Sequence, residues 1–314
     1  MADNRVVRDA LRLPPLIVIC GATATGKTGL SLSLAESIPG AEIISADSRQ
    51  VYRGMDIGTA KVGPADRARV PHHGLDLVDP DETFTAADFQ QAAVDALTVI
   101  AARGGVAILV GGTGLYLRAV ARGLPLGDTG RDAAVRADLE HRLAGEGLQV
   151  LGAQLRSAAP GVAARTDLAN PRRVVRALER VTVQGDQPPP QPLGYPARSV
   201  WIGLQADPAE HRASVTARAR AQFAAGLLDE AAALRSRYGP ALRSFSAMGY
   251  HEAFAVLDGE LSLERAIERD AIRTWQLARR QRTWFRAEPG VRWFGSREEA
   301  LVASVGLSKG LLRR

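Results

Sequence analysis

The residues Gly21-Ala22-Thr23-Ala24-Thr25-Gly26-Lys27-Thr28 have the spacing G-x-x-x-x-G-K-[ST]. The chemistry this pattern can do is phosphate binding. Its glycines let backbone N–H groups turn inward around phosphate oxygens, Lys27 adds a point charge, and the Thr28 hydroxyl can ligand Mg2+. Such a loop needs a strand before it and a helix after it, so that the helix N-terminus points at the anion. Both patterns are present. Leu16-Ile-Val-Ile-Cys20 is a short apolar run, and a helical stretch opens at Gly26-Lys27-Thr28 and runs to about Ser37, before Pro39-Gly40. Most proteins with this loop act on nucleoside triphosphates and place a second acid at the end of a later strand to hold the metal. Here the apolar run Val106-Ala-Ile-Leu-Val110 leads into Gly111-Gly112-Thr113-Gly114 with no acid. The nearest candidate is Asp47, just past Glu42-Ile-Ile-Ser-Ala46, which can serve a metal or act as a base. That weakens a generic ATPase assignment.

The elements that must position these residues are legible as periodic patterns. Residues 85 to 103 predict a helix, with Thr85 as N-cap, Asp88 as its capping-box acid and Gly104-Gly105 as its stop. Strands alternate with helices, so the expected fold class is α/β, a P-loop NTPase-like doubly wound parallel sheet. Ligands of such sheets bind at the carboxyl ends of the strands. The Gly21 loop, Asp47 and Thr113 all follow strand ends. After Gly123 the character changes: residues 132 to 145 and 147 to 159 predict helices with no strand between them, and Asn170-Pro171 caps and opens another. Gln187-Pro-Pro-Pro-Gln-Pro192 is a stiff linker, and Ser199-Val-Trp-Ile-Gly-Leu204 is again a strand. Residues 123–198 are therefore expected to be a helical insertion domain. Residues 1–122 and 199–314 form the core, mostly helical from 205 to about Ala287.

The chain has 314 residues, 46% apolar and 24% charged, enough for a sizeable core. It shows no uncharged apolar stretch of membrane-spanning length, and Met1 to Leu13 lacks the apolar region of a secretory signal; that segment is expected to be a disordered leader. The single cysteine, Cys20, can form no internal disulfide and is expected to be a buried small hydrophobe. A cytoplasmic protein is expected. The net charge of +6 favours a polyanionic partner.

Asp47 opens a long and particular run, Asp47-Ser-Arg-Gln-Val-Tyr-Arg-Gly-Met-Asp-Ile-Gly-Thr-Ala-Lys61. Further ordered matches are Pro71-His72-His73, residues 84 to 89, Gly111 to Tyr116, Asn170 to Val174, Met248-Gly249-Tyr250 and Gln276 to Gln281. Over about residues 16 to 287 the chain resembles the tRNA dimethylallyltransferases. The resemblance implies transfer of a dimethylallyl group from dimethylallyl diphosphate to N6 of adenine 37, in tRNAs that read codons beginning with U. It implies that the loop, Gly21 to Thr28, holds the donor's diphosphate, which fits the missing second acid. Departures are Ala22 and Val62 where the family usually has Pro, and Gln184 where Thr is common; none removes a charged or hydroxyl group. Eukaryotic members carry an added zinc finger, and this chain looks like the bacterial type.

An exocyclic adenine amine is a poor nucleophile, so such a site needs a base near N6 and positive charge around the leaving diphosphate. The resemblance makes Asp47 the base, Thr113 a donor to the diphosphate and Arg218 a diphosphate contact, with Arg220 as the alternative register. Thr28 and Asp47 are the candidate Mg2+ ligands. The expected tRNA contacts are Asp47, Ser48, Arg49, Gln50, Thr113, Arg136, Arg172, Arg173, Val174, Val175 and Arg176. Val174, Leu178 and Val181 fall on a core-facing stripe, with the arginines on another side of that helix. Residues 269 to 286 interleave six Arg with Trp275, Trp284 and Phe285, which suits either RNA stacking or core. His72 and His73 are expected in a loop near the site rather than on a metal. The expected partners are the anticodon arm of tRNA and dimethylallyl diphosphate, with no membrane, and the protein is expected to be a monomer. Two rival classes remain: an adenylate isopentenyltransferase acting on free AMP, ADP or ATP, which would not need the insertion's arginine face, and a P-loop small-molecule kinase, which would not need the Asp47-to-Lys61 run. An RNA-binding protein without catalysis is disfavoured by intact Lys27, Asp47 and Thr113.

Overall fold

The computed structural model describes residues 13–126, 130, 132–187 and 190–312. The expected leader lies outside the described residues apart from Leu13, and so do Pro188 and Pro189 of the expected linker. In chain order the first elements are β1 (Leu16–Gly21), α1 (Lys27–Ser37), β2 (Ala41–Ser45), α2 (Pro64–Arg69), β3 (His72–His73), α3 (Ala86–Ala102), β4 (Val106–Gly111) and α4 (Gly114–Ala121). Four helices follow: α5 (Ala133–Glu146), α6 (Leu148–Ala158), α7 (Pro160–Ala163) and α8 (Pro171–Gln184). Then come β5 (Ser199–Leu204), α9 (Pro208–Ala224), α10 (Leu227–Tyr238), a 3-10 turn (Arg243–Ser246), α11 (Tyr250–Leu257), α12 (Leu263–Arg286), β6 (Val291–Phe294) and α13 (Arg297–Leu312).

The six strands form one parallel sheet in the order β3-β2-β4-β1-β5-β6. Every residue of β1, β2 and β4 is buried, as central strands of a parallel sheet covered on both faces require. Alternate side chains serve opposite faces. Leu16, Val18 and Cys20 pack with Leu109, Phe89, Leu97 and Tyr116, whereas Ile17 and Ile19 pack with Ile108, Leu30 and Leu34. The capping box of α3 forms as expected: Thr85 Oγ1 accepts from the Asp88 N–H, and Asp88 Oδ2 accepts from the Thr85 N–H at 2.7 Å. Cys20 is fully buried, which pushes its thiol up to about 12. Edge elements β3, β6 and the closing helix α13 were not anticipated. His72 and His73 belong to edge strand β3 and not to a loop, paired with Ile43 and Ile44.

The chain divides into two compact units, one of residues 1–123 with 194–314 and one of Leu124–Leu193. The second is narrower than the 123–198 span because residues 194 and 195 are tied to the first unit. The Gly194 N–H donates to Arg122 O at 2.9 Å, and the Tyr195 hydroxyl donates to Pro14 O at 2.7 Å. The second unit is helical, with a core of Leu139, Leu151, Leu155, Val174 and Leu178. Glu179 lies 1% exposed within it. It accepts from the Asp132 N–H (3.1 Å), Arg136 Nη2 (2.6 Å) and Arg176 Nη1 (2.8 Å), so its charge is fully partnered.

Candidate active site

Three strand ends meet at one cavity. The Ala46 N–H donates to Val110 O at 2.7 Å and the Thr113 N–H to Ala46 O at 3.3 Å, so the ends of β2 and β4 are locked together. The cavity is lined by Thr23, Lys27, Thr28, Asp47, Arg218 and Gln281, among others. An adjoining cavity shares Thr23, Asp47, Arg218 and Gln281 and adds Ser48, Arg49 and Thr113.

The loop after β1 turns on Gly26, whose φ of 87° is left-handed and needs no Cβ to be accommodated. Thr25 Oγ1 donates to Ala22 O at 2.9 Å and Lys27 Nζ to the same oxygen at 2.5 Å. Desolvation first, and the neighbouring Arg218 charge second, push the Lys27 ammonium down to about 8, while Asp47 opposes the shift. Burial likewise pulls the Arg218 guanidinium down, with Asp47 and Asp270 opposing. Two cations thus share a desolvated site with an incomplete set of anions, an arrangement that favours an incoming polyanion. Arg218 Nη1 donates to Thr23 Oγ1 at 3.0 Å and Nη2 to Thr59 O at 3.4 Å. Arg220, the alternative, is exposed and pairs with Glu264 at 2.8 Å. Of the two, Arg218 is the one that lines the cavity.

Asp47 Oδ1 accepts the Arg49 N–H at 2.9 Å, and its second oxygen makes no hydrogen bond among the described residues. Thr113 Oγ1 accepts the Ser48 N–H at 3.1 Å, so it holds the residue next to Asp47. Arg49 and Gln50 are engaged within the protein. Arg49 donates to Ser244 O (3.3 Å) and Ser246 Oγ (2.9 Å). Gln50 takes a bond from Ser45 Oγ (2.8 Å) and donates to Thr59 O (3.1 Å) and Ala60 O (3.3 Å). The rest of the Asp47-to-Lys61 run is a self-supporting loop. The fully buried Lys61 side chain donates to Tyr52 O, Asp56 and Asp76.

Several positioning residues carried no readable sequence signal. Glu230 on α10 accepts the N–H groups of Asp56, Ile57 and Gly58 at 3.0, 2.7 and 3.1 Å, and the Tyr250 hydroxyl at 2.7 Å. Gly58 lies so close to the Tyr250 ring that a Cβ would fall 2.5 Å from it. Gln281 on α12 accepts the Thr23 N–H at 2.8 Å and donates to Gly112 O at 2.9 Å, joining the loops after β1 and β4. It was visible only as part of a matched run, without a role.

The remaining candidates separate by burial. Val174 and Val175 are buried, so their side chains belong to the second unit's core and not to a contact face. Arg172 and Arg173 are exposed, with Arg173 3.6 Å from Asp167. Arg136 and Arg176 are held on Glu179. Of the interleaved aromatics, Phe285 is core and Trp284 packs against the core beneath Arg118. Trp275 is half-buried between Arg212 and Arg282, at 5.2 and 5.6 Å from its ring. His73 Nε2 bonds Glu42 Oε2 at 2.7 Å, and no group of three or more metal-ligating side chains occurs among the described residues.

The fold and the loop define a P-loop NTPase-like protein with its site at the carboxyl ends of β1, β2 and β4. The model of the family IPP transferase matches residues 50–288. A tRNA dimethylallyltransferase of Roseiflexus castenholzii is 46% identical over 282 residues, covering 88% of this chain and 91% of that protein. The crystal structure of the full-length tRNA isopentenylpyrophosphate transferase of Bacillus halodurans superposes with a TM-score of 0.70 at 39% identity, covering 95% of this chain and 96% of that one. A eukaryotic dimethylallyltransferase acting on tRNA shares the fold, with a TM-score of 0.79 at 24% identity over 94% of this chain and 77% of that one. The chain belongs to the IPP transferase family.

Behind Arg218 lies Asp270, 1% exposed and pushed up to about 6 from an ordinary 3.8, by burial first and Glu252 second. The folded state therefore holds this proton more tightly than the unfolded chain. The resulting stabilisation is complete below pH of about 4 and is lost as pH rises through about 6. Asp270→Asn should match the wild type at about pH 4 and exceed it at pH 7 by roughly 2–3 kcal/mol. Urea unfolding across that range checks this, and parallel pH profiles for the two proteins would contradict it.

Proposed function

We propose that this protein transfers a dimethylallyl group from dimethylallyl diphosphate to N6 of adenine 37 in tRNA. The observation that carries the reading is the convergence of two desolvated cations, Lys27 and Arg218, with the free carboxylate oxygen of Asp47 in one cavity. In the step, the N6 lone pair forms a bond to C1 of the donor as the C1–O bond breaks. Asp47 takes the N6 proton, and the diphosphate leaves into the charge of Lys27 and Arg218. Thr113, beside Ser48, donates to the departing oxygen. Thr28 and Asp47, which line the same cavity, supply one hydroxyl and one carboxylate, hard oxygen donors that would hold a Mg2+ ion. Such an ion supplies further neutralisation of the leaving group.

The nucleobase must leave the anticodon stack to reach Asp47. Exposed Arg172 and Arg173 on the second unit are suited to the phosphates of the anticodon arm. No helix among the described residues is long and apolar enough to cross a membrane.

The test is a parallel transfer assay with radiolabelled dimethylallyl diphosphate, Mg2+ and either unmodified tRNA or AMP. Label in tRNA alone is expected. Label in AMP alone would move the protein to the free-nucleotide class, and label in neither would overturn the reading. Within the second unit, Arg173→Ala should weaken tRNA binding and reduce the slope of log K against log salt by about 1, at unchanged melting temperature. An unchanged slope in filter-binding titrations would remove Arg173 from the contact face.

A further inference from the structure

Thr23 in the phosphate loop is held at three atoms by side chains from two C-terminal helices. Its N–H donates to Gln281 Oε1 at 2.8 Å, and its Oγ1 accepts from Arg218 Nη1 at 3.0 Å. Its carbonyl oxygen lies 2.8 Å from His211 Nε2. A carbonyl can only accept, so Nε2 must carry the proton in that bond. His211 is 2% exposed, and its ring meets Trp275 edge-on at 5.3 Å. On α9 it falls on one stripe with Val215, Arg218 and Gln222, at offsets of four, seven and eleven residues. One helix face therefore brings a donor to the Thr23 carbonyl and a second donor to its hydroxyl oxygen.

These restraints have a chemical consequence. With the carbonyl and N–H fixed, the peptide planes on both sides of Thr23 cannot rotate. With an Oγ1 lone pair occupied by Arg218, the hydroxyl proton is directed away from the guanidinium, and Thr23 and Arg218 both line the cavity. We propose that His211 is a positioning residue of the phosphate loop: its Nε2–H holds the Thr23 carbonyl so that the Thr23 hydroxyl stands ready to donate to the diphosphate. The proposal rests on the diphosphate-binding part of the proposed function.

The test compares His211→Leu, which keeps bulk and loses the donor, with His211→Gln, whose amide Nε2 retains one at similar reach. Inorganic diphosphate binding is measured by calorimetry, which needs no prenyl transfer, and steady-state transfer to tRNA is measured in parallel. For His211→Leu, diphosphate affinity should fall about 5- to 10-fold, the worth of one hydrogen bond to a fixed group. The KM for dimethylallyl diphosphate should rise by a similar factor while the KM for tRNA is unchanged. His211→Gln should recover most of both losses. Wild-type diphosphate affinity in His211→Leu, or equal loss in the Gln variant at an unchanged melting temperature, would overturn the proposal. A wild type that binds diphosphate but labels no tRNA would instead fail the proposed function and leave the tether intact.

Discussion

Two positive charges kept close together away from water are unstable unless something fixes them, and the Lys27–Arg218 pair is the interaction on which the site depends. Burial depresses both cations, the Arg218 charge depresses Lys27 further, and Asp47 opposes the shift at each of them. The frame that holds them is spread along the chain. Lys27 begins α1 directly after β1, Asp47 follows β2, and Arg218 arrives from α9, which follows β5, the other neighbour of β1 in the sheet. The parallel sheet delivers the first two. The C-terminal helices deliver the third and brace the loop through Gln281. A site of this kind is preorganised for an anion, since no side chain needs to gather charge when the ligand arrives.

The loop from Asp47 to Lys61 solves a second problem, holding a carboxylate oxygen free beside those cations. Buried Lys61, clasped by Asp56 and Asp76, and Glu230, capping three successive N–H groups, make the loop rigid without any regular secondary structure. Charge-assisted bonds of this type are stronger than neutral ones, which suits a segment that has no ladder of its own. The long matched run is thus mostly scaffold, and few of its side chains are left to face a ligand.

Central strands β1 and β4 were legible because burial on both faces turns them into continuous apolar runs, and β2 and β5 because each keeps a short apolar stretch, despite Glu42 and Ser45 in one and exposed Ser199 in the other. The capping box of α3 was legible because it depends on two side chains three apart, and the start of α8 because Asn170 as cap is followed by Pro171 in the first turn. Edge strands β3 and β6 were not: two histidines, or Val-Arg-Trp-Phe, half-exposed at a sheet edge, carry no period. Within the site, the loop motif made Lys27 and Thr28 readable directly, whereas Asp47, Thr113 and Arg218 took their roles from the family resemblance. Glu230, His211 and Gln281 act across 172, 188 and 258 positions of sequence, and no local pattern marks such partners. Val174 and Val175 were swept into a contact run by their neighbours, although the helical stripe that makes Val174 core was itself readable.

The most direct measurement is single-turnover transfer with Asp47→Asn, alongside equilibrium binding of tRNA to the same variant. A carboxylate acting as base predicts tRNA affinity within about threefold of wild type and a transfer rate reduced by about 10²–10⁴-fold. A rate that falls only as far as binding falls would contradict the account, leaving Asp47 as a contact and the cationic cradle without its base.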